Sequence, residues 1–225
     1  MHMSVKKEEL LTKLKENGVR YLGTLLFLPG FILLTVTFYP VISSYIDYLL
    51  SPTKEEITLE IVKEDEDITT HINKDTEQVL LDSNFGIYIP KIKANAPVIA
   101  NVDPGNEEKY TNALYKGVAH AKGTATPDRE GNVFLFAHSA VNFYEQRKFN
   151  VYFYLLGELQ KDDPIYVSYK NNIYQYKVLE NKRVNPTDVK YLGRYLNEDT
   201  LTLMTCWPAG TDYKRVIVTA IRTQE

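Results

Sequence analysis

The only cysteine of the chain ends a run typical of a β-strand, Thr202-Leu203-Met204-Thr205-Cys206. Because a lone cysteine cannot form an internal disulfide, it is a buried filler, an intermolecular link or a nucleophile. A Trp-Pro-Ala-Gly turn follows, and Arg215 opens the next predicted strand. A thiolate is nucleophilic, and an arginine stays charged and can hold a carbonyl or a developing oxyanion. Thr205 adds a hydroxyl that could bind substrate.

A histidine stands at a similar position on another predicted strand. His138 directly follows the run Asn132–Ala137, and an imidazole can act as acid and base near neutral pH. Taken singly, a cysteine in a strand is more often a small buried hydrophobe, and a histidine more often a structural hydrogen-bonding residue. His120 is a lesser candidate, expected in a loop. No cluster has metal-ligand spacing and no glycine-rich loop suggests phosphate, so neither metal nor cofactor is predicted.

Charge is unevenly distributed along the chain. Residues 51–83 carry three basic and ten acidic side chains, whereas residues 84–225 carry eighteen basic and fifteen acidic ones. There is no basic stripe interleaved with aromatic residues and no nucleic-acid motif, so nucleic acid is excluded as a partner.

The first part of the chain contains a long uncharged stretch. No charged residue occurs from Tyr21 to Ile46, and 26 helical residues span roughly 39 Å, enough for a hydrocarbon core of about 30 Å. Five basic residues precede the stretch and acidic ones follow it. The positive-inside rule therefore predicts a single-pass anchor with a cytoplasmic N-terminus and the rest of the chain outside.

These patterns predict four regions. Residues 1–20 form the cytoplasmic N-terminus, 21–46 the transmembrane anchor, 47–83 an acidic stalk with some helix, and 84–225 the extracellular domain. Short β-rich runs bounded by turn residues indicate strands in that domain, and many strands with few helices favour a β-barrel or sandwich. The strands are Gly86–Ile89, Ala96–Ile99, Asn132–Ala137, Ile165–Tyr169, Ile173–Val184, Leu201–Thr205 and Arg215–Ile221.

Local signals also predict turns and helices. Asn171-Asn172, between two β-rich runs, is a hairpin signal. Helices are expected at Glu107–Leu114 and Tyr152–Leu159. A third helix is expected to begin at Asn185-Pro186, because asparagine suits the N-cap and proline the first helical position.

The Thr-Leu-x-Thr-Cys run followed by Arg215, with His138 upstream, resembles the signature of the sortase family of cell-surface transpeptidases. Two further stretches are similar to that family, Phe85–Ile92 and Gly117–Thr124 before Gly131-Asn132-Val133. The resemblance covers about residues 85–222. Ala137 and Ser139, which flank the histidine, differ from common patterns, and the subclass stays open.

The resemblance implies a mainly β fold, a closed eight-stranded barrel with short helices. It also implies that Cys206 attacks the Thr-Gly bond of a Leu-Pro-x-Thr-Gly-like sorting signal, that His138 transfers protons, and that Arg215 orients the substrate and supports the oxyanion. The implied partners are surface proteins bearing a C-terminal sorting signal and an amine acceptor from a peptidoglycan precursor. Two alternatives remain: an anchored cysteine peptidase that releases its acyl product to water, and a non-enzymatic surface-binding β-domain.

Overall fold

The computed structural model describes most of the predicted extracellular domain. The described residues are 18, 21, 25, 27–36, 39, 45, 46, 49, 50, 58–61, 78–139, 152–192 and 199–223. The chain divides into two compact units, Met1–Leu49 and Leu50–Glu225. In the first unit, residues 27–36 are helical.

The predicted membrane anchor at 21–46 lies partly outside the described residues. Among the positions that are described, no helix is both long enough and apolar enough to cross a bilayer.

The second unit contains a closed barrel of eight strands. The strands of this unit are, in chain order, β1 (Thr58–Ile61), β2 (Gln78–Leu81), β3 (Phe85–Ile89), β4 (Ala94–Val102), β5 (Val118–Ala121), β6 (Asn132–Phe136), β7 (Pro164–Tyr169), β8 (Asn172–Val184), β9 (Thr200–Trp207) and β10 (Lys214–Arg222). Helix α1 (Glu107–Leu114) lies between β4 and β5. The barrel closes in the order β10-β8-β7-β3-β4-β5-β6-β9. The predicted eight-stranded barrel is confirmed, and each of the seven predicted strands is present with slightly different ends.

The barrel is stable because its strands bury one continuous apolar interior. Leu203 of β9, Val218 of β10 and Leu135 of β6 are fully or almost fully buried. Burying each such side chain contributes about 1.5–3 kcal/mol. Side chains alternate between the two faces of a strand. The residues between these interior positions therefore lie on the outer face.

Two short strands lie within the predicted stalk. β1 and β2 pair in parallel and form a two-stranded sheet that is not hydrogen-bonded into the barrel. Leu81 of β2 is fully buried with Tyr88, and Leu59 and Tyr166 pack against them. Of the described residues of this stretch, Leu49 and Leu50 are helical and none from 51 to 83 is, and the boundaries of the stalk stay a prediction.

The predicted turns and helices meet different outcomes. The helix Glu107–Leu114 is confirmed, with the Asn106 side chain accepting from the Lys109 N–H at its N-cap. The hairpin is confirmed one residue earlier than predicted, because Lys170 and Asn171 adopt positive φ angles of 50° and 62° between β7 and β8. Such angles are required at both positions of the hairpin turn that matches strand twist.

Two predicted helices are wrong. The helix predicted at Tyr152–Leu159 is a series of turns with a 3-10 helix at Leu156–Glu158. Its carbonyls accept from the Asn181 side chain on β8 at 3.0–3.2 Å, which fixes a tight turn where the apolar run suggested a helix. At Asn185-Pro186 the chain makes a turn, and the next helical residues are a 3-10 helix at Val189–Leu192.

Candidate active site

Three neighbouring strands of the barrel bring the predicted site residues together. β9 lies between β6, which runs parallel to it, and β10, which runs antiparallel. Cys206 pairs directly with Arg215. Residues directly opposite in an antiparallel pair have Cβ atoms about 4.5–5.5 Å apart and point to the same face. The thiol and the guanidinium therefore share one face of the sheet.

His138 joins the same row from the other side. Phe136 is in register with Met204, and two residues further along these parallel strands are His138 and Cys206. Because neighbouring parallel strands advance together, His138 comes level with Cys206 just past the end of β6. The order across the outer face is His138, Cys206, Arg215. This set is called the reactive row below.

Two hydrogen bonds hold the end of β6 against β9. The Ala137 N–H donates to the Met204 carbonyl at 3.1 Å, and the Thr205 hydroxyl donates to the Ala137 carbonyl at 2.9 Å. These bonds join the residue before His138 to the two residues before Cys206. They therefore fix the spacing between the imidazole and the thiol.

Thr205 is not part of the reactive row. Its side chain is 3% exposed and lies on the face of β9 opposite to that of Cys206, with its hydroxyl bonded to Ala137. This placement suits a residue that positions its neighbours. A substrate contact by Thr205 stays a prediction.

The environment of Cys206 favours the neutral thiol. Burial raises the pKa of the Cys206 thiol, the Arg215 charge lowers it, and the Asp212 carboxylate raises it again. Burial acts most strongly, so the pKa lies above its ordinary value. The thiol is half-buried, and a nearby base is needed to take its proton at neutral pH.

Arg215 is held by the turn that precedes it. Its Nη1 donates to the carbonyls of Asp212 and Lys214 at 2.9 and 3.2 Å. The guanidinium has three further N–H groups, on Nε and Nη2, and these have no partner among the residues described. They are available to bond a carbonyl oxygen placed over Cys206.

An apolar strip borders the reactive row on the same face. Phe136, Met204 and Ile217 occupy the next level of β6, β9 and β10, and all three are buried or half-buried. Because Phe136 and Ile217 are only 7% and 3% exposed, the half-buried Met204 is the one side chain of the three that offers apolar surface next to the thiol.

His120, expected in a loop, is on strand β5 and is buried, so that prediction is wrong. The Asn101 N–H donates to its Nδ1 at 3.3 Å, and its Nε2–H donates to the Ala125 carbonyl at 2.9 Å. Burial lowers the pKa of His120. Both ring nitrogens are therefore used in a neutral imidazole that joins the irregular part of β4 to the turn after β5.

The sequence predicted no role for Asp212 or Ser139. Asp212 affects the thiol pKa from the β9–β10 turn. Ser139 follows His138, and its buried hydroxyl has no hydrogen-bond partner among the described residues. The residue pattern does not predict what either side chain contacts, because both environments depend on how the turns fold. Across the described part of the chain, no three His, Cys, Asp or Glu side chains are grouped closely enough to hold a metal.

A family profile, a curated relative and several solved structures all point to one protein family. The sortase-domain profile matches residues 87–223. Sortase D of Bacillus subtilis (strain 168) is 28% identical over 133 residues, which are 58% of this chain and 59% of that protein. The chain thus spans about three fifths of the length of this curated relative.

Solved structures of other sortases have the same barrel. Sortase C-1 of Actinomyces oris is 27% identical with a TM-score of 0.53, over 63% of this chain and 73% of that one. The sortase D5 transpeptidase of Clostridium perfringens is 26% identical with a TM-score of 0.51, over 64% and 80% of the two chains. Because the sortase-domain profile matches more than half of the sequence, we conclude that the chain belongs to the sortase family.

Proposed function

We propose that the chain is a cysteine transpeptidase that cleaves a Leu-Pro-x-Thr-Gly-like sorting signal between Thr and Gly and transfers the acyl part to a cell-wall amine. Sortases are cysteine transpeptidases. The observation that carries the proposal is the register of β6, β9 and β10, which aligns His138, Cys206 and Arg215 across one face.

In the first half-reaction, His138 accepts the thiol proton of Cys206, and Sγ attacks the carbonyl carbon of the threonine. Arg215 donates N–H groups to the carbonyl oxygen as negative charge develops on it. The C–N bond to glycine breaks, and His138 gives a proton to the leaving amine. A thioester between Cys206 and the threonine remains.

In the second half-reaction, a primary amine attacks the thioester carbon. His138 accepts a proton from this amine, the C–S bond breaks, and a new amide forms.

The proposed partners meet at a membrane. The donors are surface proteins with a C-terminal sorting signal, and the acceptor is an amine of a peptidoglycan precursor. We propose that residues 21–46 anchor the chain as a single span, with the barrel on the outer side of the cell membrane. Confinement of enzyme and substrates to one surface raises their effective concentration.

The alternative reaction is hydrolysis by the same three residues, with water in place of the amine. The alternative from another class is a surface-binding β-domain, which requires an unreactive Cys206. The raised pKa of the thiol is compatible with all three, so the products must separate them.

The test uses the full chain in detergent, a quenched Leu-Pro-x-Thr-Gly peptide library, and an added primary amine. Mass spectrometry is expected to find an acyl adduct on Cys206 and an amine-ligated product. Cys206→Ala, His138→Ala and Arg215→Ala are expected to lose the ligated product, whereas Arg129→Ala, a change at an exposed arginine after β5, is expected to retain it.

The three outcomes are distinct. An adduct that yields only the hydrolysed peptide, at saturating amine, would replace transfer with hydrolysis. No adduct with any peptide, together with a Cys206 that does not react with iodoacetamide, would favour the binding domain. Full activity of Cys206→Ala would refute the mechanism.

A further inference from the structure

The end of the sheet beside Cys206 carries a second group of side chains on its opposite face. Trp207 follows Cys206 on β9 and pairs with Lys214 on β10. Arg183 of β8 pairs with Val216, and its guanidinium carbon lies 4.3 Å from the centre of the Trp207 ring. Arg183, Trp207 and Lys214 are called the basic corner below.

The alternation of side chains separates the basic corner from the reactive row. Cys206 and Arg215 point to one face, so Trp207 and Lys214, one residue further along each strand, point to the other. Arg183 lies on β8 and Trp207 on β9, so the arginine side chain reaches the indole across β10, which lies between these two strands. The corner is therefore one residue from the nucleophile but does not overlap the face where the peptide would lie.

Within the part of the chain that the structure describes, the two cations of the basic corner lack acidic partners. Four other cationic side chains of the same unit form ion pairs within 4.0 Å, namely Lys170, Lys182, Lys190 and Arg222. Among the described residues, neither Arg183 nor Lys214 has a carboxylate within that distance. Lys214 instead lies 5.7 Å from the Tyr213 ring centre. Within the described residues, each of the two positive charges thus lies over an aromatic ring, Arg183 over Trp207 and Lys214 over Tyr213, with no carboxylate within 4.0 Å.

This arrangement is suited to an oxyanion. Stacking on an indole restricts a guanidinium, and the fork of N–H groups at its edge matches the two oxygens of a carboxylate or phosphate. Lys214 adds a second positive charge, at the position of β10 that is diagonal to Arg183 of β8. An anion that contacts both side chains would be attracted by both positive charges.

We propose that the basic corner binds an oxyanion carried by the acceptor amine, an inference that rests on the transfer reaction proposed above. The acceptor must approach after the peptide has taken the face of Cys206, so its anchoring group needs a different surface close to the thioester. The basic corner lies on the other face of the sheet and one residue from Cys206, so it meets both conditions. The acceptor is accordingly a primary amine that also bears a carboxylate or a phosphate.

The chain provides a binding assay that does not require catalysis, because Trp207 is its only tryptophan. The fluorescence of the full chain in detergent is titrated with two matched pairs of amines, triglycine against triglycine amide and O-phosphoethanolamine against ethanolamine. The charged member of at least one pair is expected to give a saturable change, at about tenfold lower concentration than its neutral counterpart at low salt. A response to one pair only identifies the oxyanion.

Charge-removing variants locate the site. Arg183→Gln and Lys214→Gln are each expected to reduce the preference for the charged amine at least fivefold, both in the titration and in the ratio of ligation rates. Arg129→Gln, the matched change at an exposed arginine elsewhere, is expected to keep the preference. Added salt is expected to lower the preference in the unmodified chain and to have little effect in the two variants.

The proposal is overturned if charged and neutral amines bind equally, or if both variants keep the preference. If Arg183→Gln does not fold, as judged by its melting curve, Lys214→Gln decides, since its side chain is not stacked on the indole. Anion-selective fluorescence without any thioester on Cys206 would refute the proposed function but retain the site. Ligation that shows no preference for charged amines would refute the proposed site but retain the proposed function.

Discussion

The hydrogen bond from the Thr205 hydroxyl to the Ala137 carbonyl is the most direct structural link between the cysteine and histidine strands. Thr205→Val removes the hydroxyl and keeps the shape of the side chain. A hydrogen bond contributes about 1 kcal/mol, and leaving a buried partner unpaired costs about 1–3 kcal/mol. We expect the unfolding free energy to fall by about 1–2 kcal/mol, or roughly 3–8 °C in melting temperature for a domain of this size.

Thr205→Ser is the matched control, because it keeps the hydroxyl and removes one methyl group, worth about 0.8 kcal/mol. Thermal unfolding gives the stability of both variants, and steady-state ligation of a sorting peptide gives kcat and KM. Thr205→Val is expected to lower kcat by roughly three- to tenfold with little change in KM, because small displacements of reacting groups are costly. Thr205→Ser is expected to retain most of kcat.

Two results would refute this reasoning. If Thr205→Val melts like the unmodified chain, the hydrogen bond does not contribute as its geometry indicates. If stability is unchanged while KM rises severalfold, Thr205 contacts the substrate directly, as the sequence first suggested, and does not act by positioning.

Three further predictions follow from the described contacts. Alkylation of Cys206 by iodoacetamide is expected to be slow at pH 7 and to rise at alkaline pH, and Asp212→Asn is expected to move the midpoint to lower pH because the carboxylate raises the thiol pKa; an unchanged midpoint would contradict this. The pKa of His120 is lowered in the fold, so its stabilising contribution is present above about pH 6.5 and is lost as pH falls. The difference in melting temperature between the unmodified chain and His120→Gln is therefore expected to shrink from pH 7.5 to pH 5, and a constant difference would count against a neutral imidazole. Gly117→Ala is expected to lower the unfolding free energy by several kcal/mol in chemical denaturation, because the new Cβ would lie 2.2 Å from the Pro97 carbonyl oxygen. An unchanged unfolding free energy would mean that the backbone at Gly117 can move away from Pro97 at little cost.

The strands of the barrel could be predicted because local composition marks them. β-branched and aromatic runs bounded by turn residues identified seven of the eight barrel strands. The eighth, Val118–Ala121, escaped because it has four residues, two of them alanine and one histidine. Strand pairing from both neighbours, and not intrinsic preference, fixes its conformation.

The residues of the reactive row could be named from the sequence, but their alignment could not. Cys206 and Arg215 are joined by a short turn, so their pairing has a local cause. The level of His138 depends on the parallel pairing of β6 with β9, which are not consecutive in the chain. The basic corner was missed for a similar reason, since Arg183 meets Trp207 only after β8 and β9 are both paired with β10.

The bond between Thr205 and Ala137 closes a loop of 68 residues. Bringing together residues so far apart in the chain costs loop-closure entropy. The proposed base and the proposed nucleophile therefore come together only when β6 pairs with β9. A chain in which these two strands are unpaired holds Cys206 without His138 beside it, so the proposed chemistry depends on the closed barrel.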